Sequence, residues 1–229
     1  MQLIAMITML IDHLGYVFFE GERWMRIVGR IAFPIYCYLL VTGYHRTRSK
    51  KRYALRLFIL ALVSQLPFML AFTSDGVNVI GTLFVALVVI MIIDHFEGNV
   101  GLQILMAFLL LAAVQVPLEV LNFDYALYGV LTVLVYRYLP SALGMLAGQF
   151  ALNVLFIFVL HFSGTIQLYS LITTIFIAGF KLSAPDAKVE VRLPRWVWRA
   201  FYPAHLLVIA LFEWWYSGDT YLEYVKWVF

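Results

Sequence analysis

Charge is scarce in this chain. Only 13% of its 229 residues are charged, 16 Lys and Arg against 13 Asp and Glu, while 64% are apolar. An ordinary soluble globular chain is about 45–50% apolar, so the composition excludes that class, and the mean hydropathy of +0.91 points the same way. Cysteine is nearly absent. Cys37 stands alone in an apolar stretch, which excludes an intrachain disulfide and a cysteine metal cluster. No His, Asp and Glu set has metal-ligand spacing, no Gly-rich phosphate loop occurs, and there is no nucleophilic serine elbow. The basic residues flank apolar runs, which does not indicate nucleic-acid binding. Segments of about 10 residues with alternating polarity, the mark of a membrane β-barrel, are missing. No internal repeat stands out, which weighs against an inverted-repeat transporter. The first apolar run has neither a basic leading region nor a small-residue cleavage site, so it is expected to be retained.

What is present is a series of apolar runs, several of the length needed, about 17–25 residues, to cross a hydrocarbon core roughly 30 Å thick. They predict an all-α, polytopic membrane bundle forming one domain over 1–229. About nine spans are expected, at 2–19, 30–44, 54–72, 77–94, 99–118, 124–139, 141–161, 165–180 and 200–216. The runs 30–44 and 124–139 are short for a crossing. Short polar turns separate the spans, and Asp94-His95, beside Glu97-Gly98-Asn99, reads as a solvated helix end. Lys and Arg concentrate in two links. One holds Arg46, Arg48, Lys50, Lys51 and Arg52, with Arg56 just inside the next span. The other holds Lys181, Lys188, Arg192, Arg195 and Arg199. If both are cytoplasmic, Arg137 joins them, and only Arg23, Arg26, Arg30 and Lys226 fall outside. The positive-inside rule then predicts a cytoplasmic N-terminus and an external C-terminus.

Ionisable residues inside apolar runs are functional-site candidates, because each costs roughly 2.5–3.5 kcal/mol at the bilayer centre. Asp12 and His13 lie side by side in the first span. Adjacent helical residues point about 100° apart, so the two need not bond each other. A neighbouring carboxylate can still raise an imidazole's basicity and fix its tautomer, and the imidazole then suits a general base or a transient acyl acceptor. The plain alternative is a structural polar pair joining helices. Arg30 enters the second span from the outer side, placed to stabilise an oxyanion or to pair with Asp12; the alternative is an interfacial arginine reaching the headgroups. The stretch from His45 to Tyr53, with Arg56, is a positive-inside loop on one reading and a phosphate-binding mouth on the other. Ser64-Gln65, deeper in the same span, extend a polar track suited to a long, thin ligand. His205 lies near the start of the last run, where a lone membrane histidine also serves structural roles. Asp124-Tyr125 and Asn153 are weaker candidates of the same kind.

Several blocks of the chain together resemble the TraX family. They are IAMITMLIDHLGYVFF (4–19), MRIVGRIAFPIYCYLLVTGYHRTRSKKRYALRLFILALVSQLPF (25–68), FDYALYGVLTVLVYRY (123–138) and RAFYPAHLLVI (199–209). The first 70 residues match almost continuously, whereas 80–118 match only as generic membrane sequence. The resemblance implies acetyl-CoA-dependent acetylation of the N-terminal amine of a conjugative pilin at the bacterial inner membrane. The layout is also similar to the wider transmembrane acyltransferases, in which a membrane-embedded histidine serves acyl transfer. It further implies that Asp12, His13, Arg30, Arg56, Gln65, Tyr202 and His205 are family motif positions. Where relatives often carry an Asn-Gly-Lys-Arg-Gly-like run, this chain has Gly179-Phe180-Lys181-Leu182-Ser183-Ala184-Pro185 and keeps only the Gly and the Lys.

The expectation is therefore a multi-pass inner-membrane acyltransferase, with acetyl-CoA or a close relative as co-substrate and no metal. The acceptor would be a peptide or small-molecule amine or hydroxyl. His13, Asp12, Arg30 and His205 would be catalytic. Arg46, Lys51, Arg52, Tyr53, Arg56, Gln65, Lys181 and Tyr202 would bind the cofactor, with the phosphates at the cytoplasmic mouth and the pantetheine arm threading toward His13. A proton-coupled transporter or flippase, and a noncatalytic envelope-assembly protein, are the alternatives.

Overall fold

A computed structural model describes residues 1–160, 164–183 and 193–218, without the side chain of Arg195. Of the features above, Lys188, Arg192, Lys226, Ala184-Pro185 and the last residue of the run 141–161 lie outside the described residues. The described chain is helical, with α1 at Gln2–Val17, α2 at Arg23–Gly29, α3 at Ala32–Arg46, α4 at Lys50–Phe72 and α5 at Val79–His95. They are followed by α6 at Val100–Val120, α7 at Ala126–Tyr138, α8 at Ala142–Val154, α9 at Ser170–Ser183 and α10 at Arg195–Ser217. A π turn at Leu155–Val159 extends α8, and a 3-10 turn at Thr165–Tyr169 leads into α9.

Among the described residues, five helical stretches are long and apolar enough to cross a membrane: Arg23–Arg46, Lys50–Phe72, Val100–Val120, Ala142–Val159 and Thr165–Ser183. Gln2–Val17, Val79–His95 and Ala126–Tyr138 are apolar but shorter. This is a helical membrane protein.

Local chemistry sets where the helices begin. Ser49, Asn78, Asn99 and Ser141 each accept a backbone N–H of the first turn and so cap α4, α5, α6 and α8. Such caps satisfy donors that a helix start leaves unpaired, which counts most where water is scarce. Two of the helices start earlier than their apolar runs. Lys50 to Tyr53 form the first turn of α4 rather than a loop, and α10 begins at Arg195, which puts His205 nearly three turns inside its helix.

The short run at 30–44 is resolved by α2, which lies just ahead of α3 and carries Arg23 and Arg26 into the span. The run at 124–139 stays short: α7 has 13 residues, about 20 Å at 1.5 Å each. Its buried residues, among them Tyr128, Val130, Val133 and Tyr136, leave it enclosed by α3, α5, α6 and α8. Its length is matched to protein neighbours and not to lipid.

One reading from the sequence is corrected. Asp94 is not a solvated helix end. It is 8% exposed and takes Arg137 Nε at 3.1 Å and Nη2 at 2.9 Å, with the Tyr138 hydroxyl at 2.8 Å. A buried carboxylate needs such partners, and these come from the end of α7, which the sequence order hides.

Two apolar cores hold the helices. The larger joins α3, α5, α7, α8 and α9 around Cys37, Leu87, Ile90, Val133 and Met145. The smaller joins α1, α4 and α10 around Met9, Phe68, Leu206 and Ile209. Between them the packing opens.

Candidate functional site

The opening is a cavity of about 390 Å³. Along α4 its lining runs from Tyr53 to Phe72, about 28 Å of helix axis. One end is polar, with Asp12, His13, Tyr16, Arg26, Arg30, Ser74, Asn122, Asp124 and Tyr125. The other is mostly aliphatic, with Leu39, Leu40, Leu57 and Leu60 beside Tyr53. Tyr36, Trp198 and Tyr202 also face it, and Tyr36 and Trp198 stack at 5.1 Å.

Helix α1 supplies the polar end through Met9, Asp12, His13 and Tyr16, a spacing of three, four and seven that puts them on one helical face. The turn between Asp12 and His13 sends them to different partners. Asp12 meets α2: Arg26 Nη1 lies 2.9 Å from its Oδ1, and Arg30 Nη2 lies 3.6 Å from the same oxygen. Arg26 Nη1 also donates to the Asp12 backbone carbonyl at 3.2 Å. The approach needs Gly29, because a Cβ there would overlap the Asp12 carboxylate. Gly15 serves the same seam, where a Cβ would come within 2.6 Å of Met25 Cβ.

His13 meets α10. Its Nδ1 lies 2.8 Å from His205 Nε2, and the ring planes differ by 14°. His205 Nδ1 lies 2.7 Å from the Phe201 carbonyl oxygen. A carbonyl can only accept, so His205 carries a proton on Nδ1 and, as a neutral imidazole, presents a lone pair at Nε2. His13 must then donate from Nδ1, which leaves its Nε2 as the basic nitrogen. Phe72 and Tyr202 pack edge-on against the His13 ring, at 5.0 and 6.3 Å. The tautomer of His13 is thus set by a second imidazole and not by Asp12, whose charge is taken up by the two arginines.

Arg30 is held on several sides. Its Nη1 donates to the Tyr125 hydroxyl at 3.2 Å and to Gln167 Oε1 at 3.3 Å, and its Nε donates to the Arg26 carbonyl at 3.4 Å. Tyr125 stacks on Phe33 at 3.8 Å. Behind Gln167, a buried polar group joins Tyr128, Gln149, Asn153 and Ser170.

All four catalytic candidates therefore converge on one end of the cavity, His205 as the partner of a lining residue. Of the cofactor-binding candidates, Tyr53 and Tyr202 line it. Arg46, Lys51, Arg52 and Arg56 are exposed at or just beyond the α4 end nearest Tyr53 and do not line it. Gln65 turns to the protein instead, donating to the Gly76 carbonyl at 2.7 Å and accepting from Asn78 Nδ2 at 2.7 Å. Lys181 donates to the Pro140 carbonyl at 2.7 Å. Among the described residues no group of three or more His, Cys, Asp and Glu could hold a metal ion.

Sequence reasoning missed Arg26, the nearest cation to Asp12, because it precedes the apolar run and reads as a flanking charge. Trp198 was hidden by the late start given to the last span. Gln167, a polar side chain in an apolar run, was a usable signal.

The TraX family, described as "TraX protein", matches residues 1–213. A relative from Dichelobacter nodosus named "Probable fimbrial assembly protein FimC, serogroup H1" is 31% identical over 159 residues, covering 62% of each chain. The chain thus spans about three fifths of that relative's length. No solved structure matches it. With a family match that takes in all of α1 to α9 and most of α10, both histidines of the pair included, the chain belongs to the TraX family.

Proposed function

We propose that this protein is an acyltransferase of the bacterial inner membrane, moving an acetyl or other short acyl group from cytoplasmic acyl-CoA to an acceptor amine or hydroxyl, such as a peptide N-terminus. The observation that carries this reading is the histidine series. Phe201 orients His205, His205 orients His13, and His13 lines an elongated cavity next to two arginines. That is the nucleophile-activating half of an acyl-transfer site, with cations where negative charge would develop.

In the reaction, the acceptor X–H gives its proton to His13 Nε2 as X attacks the thioester carbonyl. The C=O electron pair moves onto oxygen, and the guanidinium of Arg30 or Arg26 stabilises the oxyanion. Collapse re-forms the carbonyl and breaks the C–S bond, and the departing CoA thiolate takes the proton back from His13. Thioester and X–H become acylated X and CoA thiol. The aliphatic arm of the cavity, ending at Tyr53, suits the slender pantetheine chain. The exposed cations around the turn from α3 into α4 (Arg46, Lys51, Arg52 and Arg56) suit the CoA phosphates. This orientation requires a cytoplasmic N-terminus, as the distribution of Lys and Arg favours. The fimbrial-assembly name of the relative makes a subunit of a surface fibre the acceptor to try first.

The test is incubation of detergent-purified protein with radiolabelled acetyl-CoA, wild type beside His13→Ala. Wild type should release CoA or retain label, and the variant should lose on the order of 10²-fold or more in turnover, with acetyl-CoA binding kept. Normal turnover in the variant would remove His13 from the chemistry. Failure of wild type to bind any acyl-CoA would remove the acyltransferase reading.

A further inference from the structure

Helix α6 is scarcely enclosed by the rest of the bundle. Of its 21 residues only Leu118 is buried, and no residue of it lines the cavity. Its inner side, with Ala107, Leu110, Leu111, Val114 and Leu118, packs on the larger core. The other side holds Gly101, Leu105, Phe108, Ala112, Gln115 and Glu119, all exposed. Their alternating spacing of four and three puts them on one helical face.

A face turned to lipid should be apolar, and this one is not. Gln115 Nε2 donates to Glu119 Oε1 at 3.3 Å. Glu119 is the penultimate residue of α6, close enough to the helix end to reach water. Gln115 lies one turn, about 6 Å, deeper. Its amide has two donors and an oxygen with two lone pairs, and among the described residues the bond to Glu119 is the one its side chain makes. The remaining capacity is costly in hydrocarbon. The rest of the stripe has the form of a helix–helix seam. Gly101 and Ala112 let a second backbone approach, Leu105 and Phe108 fill the space between them, and one polar residue in such a seam fixes register and partner. Copies of one chain insert in the same direction, so their α6 helices run parallel. A two-fold axis along the membrane normal then sets each seam residue against its own copy. An amide is complementary to itself, because each one both gives and accepts. The two Glu119 carboxylates meet at the water interface, where charge is screened.

We infer that this face of α6 is a homodimer interface within the membrane, against which a second copy of the chain packs in parallel, Gln115 bonding to the partner's Gln115. The interface stands apart from the cavity and from the acyltransferase reading.

Single cysteines at Phe108 and Ala112 test the seam, with Leu102→Cys and Leu109→Cys as controls at exposed positions on the flank of the same helix. Each full-length variant is reconstituted in liposomes at low density and oxidised by copper phenanthroline in air. Phe108→Cys and Ala112→Cys should become mostly disulfide-linked dimer, and the two controls should stay mostly monomer. Photobleaching of a fluorescently tagged chain then reads the dimer fraction against protein density. Gln115→Leu should move the midpoint to about three- to thirtyfold higher density, and Gln115→Asn, which keeps a self-complementary amide, should fall between Leu and wild type. Equal oxidation at seam and flank, a wild type that is monomeric at every density, or a Gln115→Leu midpoint equal to that of wild type overturns the inference.

Discussion

Two imidazoles in series orient a base without adding a charge. A carboxylate behind His13 would have brought an ion into an apolar region, where a lone charge is costly. His205 fixes the same proton position as a neutral group, and its own proton is fixed by a backbone carbonyl that α10 cannot withdraw. On the acyltransferase reading, His205 is a positioning residue, and its replacement should act on kcat. His205→Leu should lower kcat on the order of 10²-fold while KM for acetyl-CoA stays near wild type. His205→Gln, whose amide oxygen can still accept from His13 Nδ1, should recover part of the loss. Equal kcat in the Leu and Gln variants would show that the hydrogen bond is not what matters.

At the level of helices, the contact between α1 and α2 is the most exacting in the site, because a charged side chain lies on a bare glycine. Gly29→Ala should cost about 1–3 kcal/mol through overpacking, read as a fall in thermal stability in detergent. The cost should shrink when Asp12→Gly removes both the carboxylate and the Cβ that the new methyl would strike, although the Asp12 variant is itself weakened. Additive losses in the double variant would place the clash elsewhere. This contact also marks the boundary of what was legible in the sequence. Asp12, His13 and Arg30 could be picked out because an ionisable residue inside an apolar run is conspicuous on its own. The apolar runs likewise announced the helices. The pairing of Arg30 with Asp12 was legible, and the two lie 3.6 Å apart; most other partners were not, because they depend on the rotation and register of helices far apart in the chain. Asp12 went to Arg26 and not to His13, Asp94 went to Arg137, and Gln65 turned to the Gly76–Asn78 turn and not to the cavity. Boundaries failed where polar residues begin a helix: Lys50 to Tyr53 and Arg195 to Arg199 are helical although they resemble loops in composition.

At the scale of the whole molecule, the cavity lies between two separately packed cores, so access depends on which way the bundle sits in the bilayer. Cys37 is fully buried, which makes the native chain a clean background for single-cysteine labelling. With the N-terminus inside, Arg48→Cys should react with an impermeant maleimide only after the membrane is opened, and Gly21→Cys should react in intact spheroplasts. The reverse pattern would invert the bundle and move the α4 cations away from cytoplasmic CoA.

The hydrogen bond between His13 and His205 spans 192 positions of chain. During synthesis at about 5–20 residues per second, the first histidine therefore waits on the order of ten to forty seconds for the second. Through that interval Asp12 already has Arg26 only 14 positions away, so the costly carboxylate is covered early, before the imidazole meets its partner. The histidine pair closes only when the last helix arrives. A chain cut short before α10 would be a membrane protein with most of its spans and without the histidine pair, so on the acyltransferase reading half-made copies could not act on what they meet.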